Sequence, residues 1–347
     1  MLSAVFKGNG KLVLEDMPKP KIKSNTDALI KVTGVGICGT DLHILQVPPA
    51  HPATKNIILG HEFTGIIEDA GSAITEFKKG DHVIIDPHPG CGVCENCRSG
   101  HPDRCINLYK KSGIPGQAGT IGIFSDGAMT SYAIVPQQSL YRISDKVPPH
   151  IAALAEPLAC VVNAAQKLNA KPGDTVLVLG AGPIGLLFTE YLKACGVAKL
   201  IVSEVSDYRR EKALECGADF VVNPKKQNID EYVKEITDGG PDIVVEAVGP
   251  LLPDAIRLVH SDGKVLQFGH DELANPKIHV AEIVKKELTI YGGFIGKFTF
   301  NKLPGIIESG VLPLEKVVSH EFPLSEIHEG LKLLRQGLGL KVVLHPE

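Results

Sequence analysis

Eight cysteines stand in the 347-residue chain, and four of them are bunched as Cys91-x2-Cys94-x2-Cys97-x7-Cys105. Four thiolates on one short lobe can close a tetrahedral shell around zinc and leave no open position, so the spacing predicts a structural zinc site. Gly90, Gly92 and Gly100 permit the tight backbone that such a lobe requires. Cys160, Cys195 and Cys216 lie in apolar or helical settings and read as core residues. Further potential ligands are scattered: Cys38-Gly-Thr40-Asp41-Leu-His43, then Gly60-His61-Glu62, then Glu156. Spacing alone leaves open whether Cys38 and His61 share a metal, because a lone Cys after a strand or a lone His is usually a packed or hydrogen-bonded residue. Glu62 and Glu156 could equally pair or cap locally.

A third chemical signal is Gly180-Ala-Gly182-Pro183-Ile184-Gly185, which follows the apolar run Thr-Val-Leu-Val-Leu and opens an apolar helix. The first glycine allows a tight turn, the second lets backbone approach a pyrophosphate, and the third permits close helix–strand packing. The helix N-terminus adds free N–H groups and partial positive charge for the phosphates. Glu204 follows at the end of the next strand, where a carboxylate accepts hydrogen bonds from ribose hydroxyls and repels a 2′-phosphate. The expected cofactor is therefore NAD. Arg209 and Arg210 stand a few residues on and could serve a phosphate if Glu204 turned away.

Two kinds of framework must position these groups. Residues 1 to about 150 carry short β-type runs, such as Ala28 to Val32, Phe63 to Glu68, His82 to Ile85 and Ser131 to Val135, broken by glycine and proline. From Ala170 onward, near-continuous apolar strands alternate with helices, which implies a doubly wound parallel sheet and an α/β fold. A last change after Gly293 leads through two helices to a strand at Lys341 to Leu344. Hydrophobic content of 44% and charged content of 22% are those of a globular chain with a sizeable core. A net charge of −4 without a basic stripe argues against a nucleic-acid partner. The N-terminus lacks a signal-peptide layout, and the apolar stretch Val176 to Phe188 is too short to span a bilayer. A cytoplasmic protein with no membrane partner is the expectation.

The motifs occur in one order along essentially the whole chain, and in combination they resemble the zinc-containing medium-chain dehydrogenase/reductase family. Within it the chain is most similar to the polyol (sorbitol-type) and threonine dehydrogenase branches, through His61-Glu62 after the glycine and Glu156 before Pro157-Leu158. The resemblance implies a GroES-like β-barrel catalytic domain of residues 1–155 and 293–347, with the zinc lobe at 90–106, and a Rossmann NAD-binding domain of residues 156–292. It implies a catalytic zinc on Cys38 and His61, with Glu62 and Glu156 both candidates for the third protein position, and a separate structural zinc on the four-cysteine lobe. Thr40 would pass the substrate proton inward and His43 would carry it out. Phe268 and Phe294 match places where the family touches its cofactor. The loop from Gly113 to Gly122 would border the substrate mouth. Family members are homodimers or homotetramers, and the strand Thr289 to Gly292 could pair across a subunit boundary.

Substrate class follows less directly. The polyol branch often carries an arginine after the phenylalanine matching Phe294, whereas this chain has Ile295-Gly296-Lys297. That stretch is closer to the threonine-type pattern, with Lys297 in place of an arginine. The leading expectation is hydride transfer from a secondary hydroxyl of a polyol, sugar or cyclitol. The alternatives are L-threonine, or a simple secondary alcohol or diol. A non-catalytic nucleotide-binding protein would be expected to have lost the zinc ligands, and this chain keeps them.

Overall fold

The computed structural model describes residues 1–108 and 119–347, so residues 113–118 of the expected substrate-mouth loop lie outside the described residues. The chain divides into two units. One comprises Met1–Ala159, Lys297–Ser309 and Val318–Glu347, and the other comprises Cys160–Gly296 and Gly310–Val317.

The first unit is built on the strand Asp27–Ile37, whose alternate residues Ala28, Ile30 and Val32, then Val35 and Ile37, join its apolar core. It pairs antiparallel with Glu62–Ala70, with Tyr132–Pro136 and with Lys341–His345, the last of these joining the sheet from the far end of the sequence. The sheet has seven strands, and a three-stranded sheet at the N-terminus accompanies it. Two register shifts between Asp27–Ile37 and Glu62–Ala70 increase the local twist that curls such a sheet toward a barrel. This is the GroES-like part of the fold.

The second unit is a six-stranded, all-parallel sheet. Its central strand Thr175–Leu179 lies between Lys199–Ser203 and Ile243–Glu246. Strand order therefore reverses beside Thr175–Leu179, which creates the crevice at the carboxyl ends of the strands where α/β sheets bind nucleotides. Val176, Leu177 and Val178 are fully buried, the reason this strand reads as continuous rather than alternating. Thr289–Gly292 forms one edge of the sheet.

A helix absent from the sequence expectation, Ala155–Leu168, follows the first unit's barrel. The helical run Pro149–Leu168 is long and apolar enough to cross a membrane by length and composition, but 78% of its most apolar window is buried inside the protein, as in a core helix.

Candidate active site

Cys38 and His61 meet because of strand register. In the pair formed by Asp27–Ile37 and Glu62–Ala70, Gly36 lies opposite Glu62. Cys38 follows the end of the first strand and His61 precedes the start of the second, so both reach the same end of the ladder. The donor atoms of Cys38, His61 and Glu62 all lie within 4.8 Å of one another.

The backbone around them is shaped for this. Cys38 caps the helix Gly39–Ile44, and its N–H donates to Asp41 Oδ2 at 2.9 Å. Gly60 holds φ at +102°, a left-handed conformation that sets the direction in which His61 leaves the chain. A side chain at Gly36 would collide with a carboxylate oxygen of Glu62, so the glycine makes room for that carboxylate.

The electrostatics suit a cation. Asp41 is fully buried, and its Oδ1 lies 4.0 Å from His61 Nδ1. Neither of these two atoms has a hydrogen-bond partner among the described residues. The separation is too long for a direct hydrogen bond, but the charge favours a proton on Nδ1 and leaves Nε2 for a metal. Burial alone would lower the pKa of His61, yet Cys38, Asp41 and Glu156 together hold it up at about 10. Burial likewise raises the Asp41 carboxyl, against the pull of His61. Three acidic groups thus act on one imidazole in a buried place. Sulfur, nitrogen and oxygen donors with surplus negative charge fit zinc.

Glu156 is the second residue of Ala155–Leu168 and is 7% exposed. Its charge acts on both His61 and Lys341, although it lies outside the 4.8 Å set. Lys341, which sequence reasoning missed, begins the strand Lys341–His345 and places its Nζ 2.7 and 2.5 Å from the two oxygens of Glu62. Burial lowers the Lys341 pKa, but the acidic groups, Glu62 foremost, raise it above the usual lysine value. Thr40 and His43 are half-buried on the Gly39–Ile44 helix, three residues apart and so on one face.

The cysteine lobe forms a separate centre. The sulfurs of Cys91, Cys94, Cys97 and Cys105 lie within 4.8 Å of one another, and all four cysteines are free of disulfides. Burial would raise the Cys91 thiol, but N–H groups of Val93 and Cys94 bring it down to about 6. The Cys91 N–H donates to Cys105 Sγ at 3.2 Å. A lobe preorganised to hold thiolate fits a closed zinc shell.

In the parallel-sheet unit, Gly180 has φ of +96° and begins the turn into Pro183–Ala194, with Gly182 as cap and Pro183 and Ile184 in the first turn. A Cβ at Gly185 would overlap the Gly180 carbonyl, so only glycine allows this approach. Glu204 is buried and braces the turn: Oε2 accepts from Ala181 N–H and Oε1 from Ser206 N–H, each at 2.9 Å. Arg210 donates to the Glu204 carbonyl at 2.7 Å and pairs with Asp207, which commits it locally. Arg209 is the third residue of the helix Asp207–Glu215, and its N–H donates to the Ser206 hydroxyl. Phe268 packs edge-on against Phe188 at 5.1 Å between centroids, whereas Phe294 is 49% exposed. Lys297 places its Nζ 3.1 Å from Asp103 of the cysteine lobe.

Comparison with known proteins agrees with this fold. Residues 24–145 match the model of the alcohol dehydrogenase GroES-like domain, and residues 183–309 match that of the zinc-binding dehydrogenases. An L-threonine 3-dehydrogenase from Pyrococcus horikoshii is 35% identical over 96% of this chain and 94% of its own length. A sorbitol dehydrogenase from Bacillus subtilis is 31% identical over 100% of this chain and 97% of its own. The crystal structure of a zinc-binding dehydrogenase from Sinorhizobium meliloti bound to NADP superposes with a TM-score of 0.89, at 29% identity and 99% coverage of both chains.

Proposed function

Because the chain belongs to the zinc-dependent alcohol dehydrogenase family, with its GroES-like and zinc-binding dehydrogenase domains, we propose that it oxidises a secondary hydroxyl of a small polyol, sugar or cyclitol to a ketone, with NAD as acceptor. The observation that carries the proposal is the buried convergence of Cys38, His61 and Glu62, with the charge of Glu156 behind them. Zinc, when bound, supplies Lewis acidity that eases loss of a proton from a hydroxyl, and the nicotinamide takes up the hydride.

The chain's own residues supply the rest. Cys38 and His61 hold the metal, with Asp41 orienting the imidazole. We assign Glu156 to the third protein position, since its charge acts on His61, while Lys341 holds Glu62 beside it. Glu62 then acts as a tethered carboxylate beside the metal. Thr40 relays the hydroxyl proton, taking it up as it gives up its own, and His43, one helical turn on, passes the released proton outward. Glu204 orders the Gly180–Gly185 turn and takes the ribose hydroxyls, which selects NAD over NADP. Cys91, Cys94, Cys97 and Cys105 hold a structural zinc.

A neutral substrate is favoured by Lys297. The threonine reading needs a cation for the amino-acid carboxylate, and this lysine is already paired with Asp103. Oxidation of L-threonine is the second reading, carried by the 35% identity to the Pyrococcus enzyme. Two copies are expected to associate through Thr289–Gly292, an exposed edge strand of the parallel sheet. A panel of polyols, sugars, L-threonine and secondary alcohols, followed by the absorbance of reduced nicotinamide, tests the assignment. Turnover with polyols and none with L-threonine is expected. Turnover confined to L-threonine would replace the leading reading with the second.

A further inference from the structure

The pairing of Lys297 with Asp103 links parts of the molecule that the proposed reaction treats as separate. Asp103 lies in the turn Pro102–Arg104, between the third and fourth cysteines of the lobe, and is 7% exposed. Among the described residues its Oδ1 is buried without a partner, so within them Oδ2 and its contacts compensate the charge. Those contacts are Lys297 Nζ at 3.1 Å and Arg104 Nε at 3.7 Å, and Arg104 is largely solvated. Among the described residues Lys297 is therefore the principal counter-charge of a buried carboxylate.

The backbone on either side of Lys297 is strained. Ile295 has φ of +30° and Phe298 has φ of +49°, left-handed values that side chains other than glycine adopt only when their surroundings impose them. Two contacts impose them on the Lys297 side. One is the ion pair to Asp103. The other is the Thr299 hydroxyl, which is buried and donates to the carbonyl of Ala159 at 3.0 Å. Ala159 stands three residues after Glu156 on the same helix. A continuous path of bonded groups thus runs from the cysteine lobe through Asp103, Lys297 and Thr299 to the helix that carries Glu156.

We propose that Lys297 is a positioning residue, whose ion pair with Asp103 makes the state of the cysteine lobe set the placement of Glu156 at the reactive metal. The proposal rests on the assignment of Glu156 as a ligand of that metal. It also separates two roles that one lysine could have, since a side chain spent on Asp103 is not reading substrate.

The test uses the full-length holoenzyme, the variants K297M, K297R and D103N, and the double variant K297M/D103N. Zinc release from the lobe is timed with a chromogenic chelator, and cobalt placed in the Cys38 site reports that metal's geometry through its visible spectrum. Loss of the tie should speed zinc release from the lobe about tenfold, the lower range for removing a partner that orients metal ligands. K297M and D103N should each change the cobalt spectrum in the same way and lower kcat more than they raise KM. The double variant should be no worse than either single one, and K297R should restore the wild-type spectrum. If D103N speeds lobe release with the cobalt spectrum unchanged, the lobe is not coupled to the reactive metal. If K297M raises KM while D103N is silent, Lys297 reads substrate instead. A wild-type enzyme that oxidises no alcohol would refute the proposed function yet leave both metal readouts able to decide the tie.

Discussion

Lys341 and Glu62, 279 residues apart in sequence, form a buried ion pair in which one ammonium group contacts both carboxylate oxygens, at 2.7 and 2.5 Å. Lys341 is 4% and Glu62 1% exposed, so neither charge has water to fall back on. Removing one partner of such a pair leaves the other uncompensated, at a cost of roughly 3–5 kcal/mol. K341M should therefore lower the urea midpoint of the metal-free protein substantially. The double variant E62Q/K341M should recover most of that loss. Equal stability of K341M and the wild type would show that the pair is not what holds Glu62.

Glu204 makes a different kind of contact, since its carboxylate accepts from one backbone amide of the dinucleotide turn, that of Ala181, and from the amide of Ser206. Hydrogen bonds to a charged group contribute about 1.5–3 kcal/mol. E204A should weaken NADH binding by roughly tenfold to a hundredfold, measured by fluorescence titration, and should narrow the preference for NAD over NADP. An unchanged ratio of the two affinities would refute the ribose role.

Glu190 gives a pH dependence with a definite sign. It lies on Pro183–Ala194, is 2% exposed, and neither carboxylate oxygen has an N–H or O–H partner among the described residues. Burial pushes its pKa from 4.5 up to about 8, with Glu315 adding to the shift and the weak donor Cys216 opposing it. The folded state thus favours the protonated carboxyl. Its ionisation penalty is absent below the unfolded value of 4.5, grows as the pH rises, and is complete above about 8. At about 1.4 kcal/mol for each pH unit of that window, E190Q should gain a few kcal/mol relative to wild type at alkaline pH and little in acid. Thermal melts of the two proteins that run parallel across this range would contradict the assignment.

Thr40 and His43 share one face of a short helix beside Cys38. T40A should lower kcat by about a hundredfold or more, the usual scale for a proton-transfer group, and T40S should restore most of it. H43A should lower kcat less and shift the pH profile of the rate. A T40A enzyme with wild-type kcat would remove this hydroxyl from the proton path.

What could be read from the amino-acid order divides along physical lines. The cysteine lobe is legible because all its ligands fall within one short stretch, where spacing alone constrains geometry. The parallel sheet is legible because strands covered on both faces must be apolar throughout, as Thr175–Leu179 is. The helix Ala155–Leu168 escapes because it is apolar nearly all round, leaving no periodic contrast, and because Pro157 looks like a breaker. In the first turn of a helix proline costs nothing, since its missing N–H has no partner there. The neighbourhood of Cys38 and His61 escapes for another reason. It is set by the pairing of Gly36 with Glu62, a register that no local spacing encodes. Lys341 had one faint signal, a charge at the head of the buried strand Lys341–His345. Lys297 stood out in the sequence for its substrate position, and its partner in the cysteine lobe became visible only in three dimensions.

The central claim is that Cys38 and His61 hold a reactive zinc distinct from the one in the cysteine lobe. The direct measurement is the zinc content and NAD-linked alcohol oxidation of C38A and H61A, beside NADH binding by the same proteins. Each variant should lose one zinc per chain, retain the lobe zinc and NADH binding, and show no turnover. Full activity in either variant, or retention of two zinc ions per chain, would contradict the account.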